Sequence, residues 1–155
     1  MTTVFRICQA KYAASAFDGE GARLYGGCWS SRGTRIVYTA GNLALAALEM
    51  LVNLQDKDTL LKYAFVAADI PPELILPVND FRRLLSDWSL SPSPTSIQQI
   101  GDDWARSGAS AVLAVPTSVI PLERNYLLNL DHPDFGLIEI GKPKRFVFDE
   151  RLLKK

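Results

Sequence analysis

The sequence predicts an α+β fold: a single domain over residues 1–155, with a mixed central sheet and flanking helices. Three observations lead there. A chain of 155 residues fits one domain and is long enough to bury a real core. Short β-branched and aromatic runs recur along it, as strands require. Mixed with them are about three helical stretches, the clearest an apolar run over residues 43–52 that is too long for one strand. No internal repeat is visible.

In chain order, residues 4–10 (VFRICQA) read as the first strand. Residues 18–33 hold Gly19, Gly21, Gly26, Gly27 and Gly33 and few aliphatics, which predicts a loop that approaches a ligand closely. Residues 34–40 (TRIVYTA) form the next strand. Asn42 is the expected N-cap of the helix that follows, whose apolar run is interrupted only by Glu49. KYAFVAADI is a strand ending at Pro71 and Pro72, and residues 79–88 suit a short helix. A Pro/Ser-rich loop over 89–96 leads to IQQIGDDWARSG, a helix stopped by Gly108. AVLAVPTSVIP reads as a buried strand halted by Pro116 and Pro121. RNYLLNLDHPDFGLIEI adds a loop and a strand, and KRFVFDERLL closes as another strand.

Composition argues against several classes, although a local charged patch stays open. The apolar fraction is 48% and the charged fraction 22%, ordinary for a globular protein. Seventeen basic residues balance seventeen acidic ones, so no global field points to nucleic acid or an anionic membrane. No stretch approaches the ~18 apolar residues of a membrane span, and the first residues lack a signal-peptide core. Cys8 and Cys28 make no disulfide framework, and a single histidine, His132, makes a His-based metal site improbable. A reduced, cytoplasmic protein without metal is the expectation.

Glu49 is the most informative residue. It lies among Leu45, Leu48 and Val52, and an unpaired buried carboxylate must shift its pKa or meet a partner. Such groups are enriched at active sites, although one solvent-facing glutamate on an apolar helix gives the same pattern. Tyr38 ends a strand just before that helix; it is either a core aromatic or a pocket wall. Cys28 as a nucleophile needs a base, and nothing in the sequence brings His132 near it. Cys8 fits a small core residue. Thr117 and Ser118 follow a strand, where their hydroxyls suit a ribose or phosphate oxygen or simply a turn. Arg6 in the first strand either reaches a phosphate or faces outward. No GxSxG elbow, GxGxxG or P-loop is present.

FRI near the start, GARLYGGCWSSRGTRIVYTAGNLALAALEMLVNL, GDDWARSGASAVLAVPTSVIP and ERNYLLNLDHPDF together resemble the RES-domain family, over almost the whole chain. The resemblance implies a fold similar to ADP-ribosyltransferases and a toxin of a bacterial type II toxin–antitoxin pair. It implies an activity that consumes NAD as substrate, degrading it or transferring ADP-ribose, with no further cofactor. The implied partner is an Xre-like helix-turn-helix antitoxin that covers the site and carries the DNA binding; a homodimer within a larger complex is expected.

By the same resemblance, Glu49 matches the family glutamate, Tyr38 the active-site tyrosine, Arg6 a first-strand arginine, and Thr117 or Ser118 the family serine. Trp29, Arg32 and Asn125 join Arg6 as expected substrate contacts. Cys28 departs from the pattern, standing where the family carries its naming arginine; Asn53, where relatives have histidine, departs less. Loss of that arginine implies impaired NAD turnover. The alternative is a degenerate module that only binds its antitoxin and takes part in transcriptional autoregulation. The acceptor of ADP-ribose is left open.

Overall fold

The computed structural model describes residues 1–90 and 93–153; residues 91 and 92, inside the expected Pro/Ser-rich loop, lie outside the described residues. Its strands are β1 (Thr2–Gln9), β2 (Ile36–Ala40), β3 (Tyr63–Ile70), β4 (Ile75–Pro77), β5 (Val112–Pro116), β6 (Arg124–Asn129), β7 (Glu139–Ile140) and β8 (Lys144–Phe146). Its helices are α1 (Glu20–Tyr25), α2 (Leu43–Asn53), α3 (Val78–Phe81), α4 (Thr95–Ser107) and α5 (Glu150–Leu153). No helix among the described residues is long and apolar enough to cross a membrane.

The strands form one eight-stranded mixed sheet in the order β4-β5-β6-β2-β1-β3-β7, with β8 also paired to β3. β4 and β5 run parallel, and the other pairings are antiparallel. The sheet is unevenly sealed. β1 pairs with β3 along its whole length, from Thr2↔Ile70 to Gln9↔Tyr63, and β2 pairs with β6 from Ile36↔Asn129 to Ala40↔Asn125. Between β1 and β2 the register holds only at Phe5↔Ala40. Beyond that point the strands part, and Arg6 Nη1 donates to the Tyr38 carbonyl at 3.1 Å across the gap.

Apolar side chains fill both sides. α4 lays Ile97, Ile100 and Trp104 against Ile36, Leu113, Val115 and Leu127 of the sheet, with Trp104 fully buried. α2 packs Leu45 and Ala46 beside Ile7, Ala40, Tyr63 and Phe148. A third cluster joins Val4, Val37, Val112 and Leu128. Burial of such side chains stabilises the fold by about 1.5–3 kcal/mol each.

The expected α+β class, mixed sheet and flanking helices are observed, and three local expectations are corrected. The 18–33 loop contains α1: Gly19 takes a left-handed φ of 71°, and Asp18 Oδ1 then accepts from the Glu20 amide at 2.9 Å. A left-handed glycine followed by an acidic first turn starts a helix as well as it shapes a loop. The helix expected over 79–88 is the single turn α3, which ends at Arg82 in extended backbone. Asn79 Oδ1 accepts from the Leu84 amide at 3.1 Å, a side-chain bond that competes with the helical ladder. The closing strand stops at Phe146 and gives way to α5, where Asp149 Oδ1 accepts from the Arg151 amide. The α2 N-cap falls where expected, with Asn42 Oδ1 accepting from the Leu45 amide at 2.7 Å. Gly108 ends α4 at φ 67°, also as expected.

Candidate active site

Where β1 and β2 part, a cleft of about 800 Å³ opens, bounded by the 10–15 turn, α1, the loop after it, and the ends of β5 and β6. That volume accommodates a ligand of dinucleotide size.

Glu49 reaches the cleft from the last half of α2. Its Oε1 accepts from Asn125 Nδ2 at 2.8 Å and its Oε2 from Thr117 Oγ1 at 3.2 Å. Asn125 Nδ2 also touches the Thr39 carbonyl at 3.3 Å, and Thr117 Oγ1 accepts from the Val119 amide. The ends of three strands thus fix one carboxylate. Burial pushes the Glu49 carboxyl above its ordinary value, and the bonds from Asn125 and Thr117 pull it partly back. The tension between a costly charge and donors that favour it is characteristic of a working carboxylate.

Thr117 and Ser118, which the sequence left equivalent, separate here. Thr117 is buried at 2% exposure and bonded to Glu49, whereas Ser118 is exposed on the cleft wall.

Tyr38 lines the cleft from β2. Its hydroxyl is 2.6 Å from Ser30 Oγ and accepts from the Trp29 amide at 3.2 Å. Burial holds the phenol far above its ordinary pKa, so it is a neutral hydrogen-bonding wall rather than an acid. Gly27 makes this possible, because a Cβ there would lie 2.5 Å from the Tyr38 hydroxyl oxygen. Trp29 itself is 4% exposed and stacks on Trp88 at 6.3 Å, forming wall more than ligand surface.

α4 holds the glycine-rich loop. Asp102 Oδ1 accepts from the Ser31 amide at 3.0 Å and from Thr34 Oγ1 at 2.8 Å; its Oδ2 accepts from Ser31 Oγ at 2.5 Å. Gln98 Nε2 donates to the Gly27 carbonyl at 3.1 Å, and the Trp29 carbonyl occupies the space a side chain at Gly101 would need. Sequence reasoning missed Asp102 and Gln98. Both lie about 70 residues from their partners, and only the absent side chain at Gly101 hinted that backbone approaches α4 there.

The remaining expected residues divide. Cys28 is exposed on the cleft, so the position where the resemblance calls for arginine faces the ligand space. His132 is not on the cleft: it bonds the Gly108 carbonyl and accepts from the Asp134 amide, which removes it as a base for Cys28. Arg32 is exposed and does not line the cleft. Arg35 is held by Asp131 and the Asp18 carbonyl. Arg6 lines the cleft; burial lowers its pKa, with Cys8 and Asp18 opposing, and its buried Nε has no partner among the described residues. Cys8 also lines the cleft, with burial pushing its thiol up against the pull of Arg6.

A sheet parted over a donor-bonded carboxylate and a buried tyrosine defines an α+β protein with a ligand-sized cleft at the split. The RES domain family model matches residues 3–149, and the chain belongs to the RES domain family. It is 38% identical over 152 residues to "Toxin Res" of Photorhabdus laumondii, covering 97% of each chain. It is 35% identical to "Toxin Res" of Yersinia enterocolitica, covering 96% of this chain and 98% of that one. The "Prs ADP-ribosylating toxin" of a Sphingobium species is 34% identical over all of this chain and 99% of its own. A chain from the crystal structure of the M. tuberculosis MbcT–MbcA toxin–antitoxin complex shares the fold, with a TM-score of 0.74 and 16% identity over 94% of this chain and 84% of that one.

Proposed function

We propose that this chain is the toxin of a type II toxin–antitoxin pair and that its cleft takes NAD, cleaving the nicotinamide–ribose bond. The observation that carries the reading is Glu49, a raised-pKa carboxylate held by Asn125 and Thr117 at the rim of a cleft of about 800 Å³. Its relatives' names as toxins, one of them ADP-ribosylating, support the same reading.

In the proposed reaction the C–N bond breaks heterolytically. Nicotinamide leaves with the electron pair and becomes neutral, and positive charge develops on the ribose as in glycoside hydrolysis. Ionised Glu49 stabilises that charge and hydrogen-bonds a ribose hydroxyl, and an acceptor nucleophile then takes the ADP-ribosyl group. Tyr38 packs against the leaving ring. Arg6, whose buried Nε has no partner among the described residues, supplies the cation for the pyrophosphate.

Cys28 leaves this cleft without the arginine fork that the family pattern puts there. A hydrogen bond to a charged group contributes about 1.5–3 kcal/mol. Its loss is roughly 10- to 150-fold in rate if it falls on the transition state. Turnover of this chain is therefore impaired, and Cys28→Arg restores it. The exposure of Cys28 means an arginine fits without displacing core. Purified protein and its Cys28→Arg variant, each incubated with NAD, test this by the loss of NAD. Two folded but inert proteins would overturn the NAD reading, and equal high activity would overturn the role of Cys28.

The same cysteine favours a second reading, a degenerate module that only binds its antitoxin and takes part in autoregulation. Co-purification with a helix-turn-helix partner, without NAD loss even in Cys28→Arg, would select it. Under either reading the partner is an Xre-like antitoxin, the toxin is a homodimer in the complex, and the setting is the cytoplasm.

A further inference from the structure

Beside the cleft, on the far side of the 10–15 turn, lies a second depression of about 390 Å³. The turn is the shared wall: Tyr12 and Ser15 face the cleft, and Ala10 and Ala13 face the groove. Cys8, Ala64 and Arg145 are direct partners across β1, β3 and β8, so their side chains share one face of the sheet. Cys8 lies in the cleft and the other two in the groove, which makes the groove a lateral continuation of the same face.

The groove is strongly one-signed in a chain whose net charge is zero. Exposed Lys62, Lys144 and Arg145 line it, and no carboxylate does among the described residues. None of the three is in an ion pair among the described residues, although five other arginines are. Lys11 in the turn and Lys142 before β8 add exposed positive charge nearby. Ala10, Ala13, Ala64 and Pro143 make the lining low, so an extended chain can lie close to the sheet. Tyr63 is 6% exposed and its hydroxyl donates to the Asp58 carbonyl, so the groove presents no free aromatic face on which a base can stack.

We propose that this groove docks an acidic, extended segment of a partner protein, whose carboxylates meet Lys62 and Arg145 while its backbone runs over the alanines. Small apolar lining between cations fits a polypeptide carrying acidic side chains; a nucleic acid backbone would leave its bases without a platform. The docking is independent of NAD chemistry, so its test does not require a working active site.

The probe is a fluorescein-labelled peptide of alternating glutamate and alanine, followed by anisotropy against the full chain, with labelled oligodeoxythymidine in parallel. The peptide is expected to bind at low ionic strength and to weaken as salt is added. Lys62→Glu and Arg145→Glu each weaken it about tenfold or more, whereas Arg83→Glu, exposed and outside the groove, does not. The milder Lys62→Gln gives an intermediate loss, and equal melting temperatures show that each variant is folded. Absence of peptide binding, binding indifferent to Lys62 and Arg145, or tighter binding of the oligonucleotide through those residues would overturn the proposal.

Discussion

Asn125 Nδ2 donates a 2.8 Å hydrogen bond to Glu49 Oε1, joining α2 to the start of β6 at the open side of the sheet. Glu49 is therefore oriented by side chains at the strand ends rather than by its own helix, and its ionisation depends on them. Burial raises its pKa while the Asn125 and Thr117 donors lower it.

Glu49→Gln should separate activity from stability. In the Cys28→Arg background it is expected to reduce NAD turnover by about 100- to 1000-fold, the range for removing a preorganised electrostatic group. A carboxyl with a raised folded pKa holds its proton more tightly in the folded chain than in the unfolded one. Its contribution therefore favours folding below the ordinary carboxylate range and is lost as pH rises through the ordinary value toward the raised one. Gln removes that penalty, so Tm at pH 7 should rise and the difference should close on acidification. Thermal melts across pH check this; a neutral-pH Tm below that of the parent would contradict it.

Thr117→Val takes away the donor to Glu49 Oε2, whereas Thr117→Ser keeps it. The acid limb of the activity profile, set by a Glu49 carboxyl that burial raises, should move further up in Thr117→Val and stay in place in Thr117→Ser. Ser118→Ala should leave it unmoved, because Ser118 is exposed and the bonded hydroxyl is that of Thr117. A pH–rate series of the three variants decides which hydroxyl serves the carboxylate.

Gly27→Ala drives a Cβ to within 2.5 Å of the Tyr38 hydroxyl oxygen, so it should destabilise by about 1–3 kcal/mol as overpacked sites do. Gly21→Ala is the control. It lies in α1 with nothing within 4 Å of the added carbon, and alanine should stabilise it by up to about 1 kcal/mol. Urea melts of both variants give the comparison, and equal midpoints would remove Gly27 from its role in placing Tyr38.

The parts of this site that the sequence disclosed are those carried by local pattern. Glu49 stood out because an interrupted apolar helix is visible within one window, and Asn42 and Gly108 marked helix ends by residue type alone. The α+β class followed from strand and helix periods in the same way. Pairing was not legible: the parting of β1 from β2, which creates the cleft, is a register fact involving residues more than thirty apart. Local competition hid α1 and shortened α3, since Asp18 and Asn79 act through single side-chain bonds that composition does not weigh. The choice between Thr117 and Ser118 turned on which hydroxyl the strand end points at Glu49.

Asp102 offers the sharpest test of how the glycine-rich loop is held. Its carboxylate accepts from the Ser31 amide, Ser31 Oγ and Thr34 Oγ1, bonds that cross from α4 to the segment leading into β2. The loop in turn supplies the Trp29 amide and Ser30 hydroxyl that hold Tyr38. Asp102→Ala should cost about 1–3 kcal/mol, the range for bonds to a charged group, and Asp102→Asn less because one acceptor oxygen survives. The local effect should exceed the global one. Hydrogen exchange should speed up at the Ser31 and Trp29 amides while the β5 and β6 amides stay protected, as expected of a segment that opens separately from the core. In the Cys28→Arg background, KM for NAD should rise more than kcat falls, because the loop borders the ligand while Glu49 is untouched. Uniformly faster exchange across the whole sheet would instead make Asp102 an ordinary stabilising residue with no particular hold on the loop.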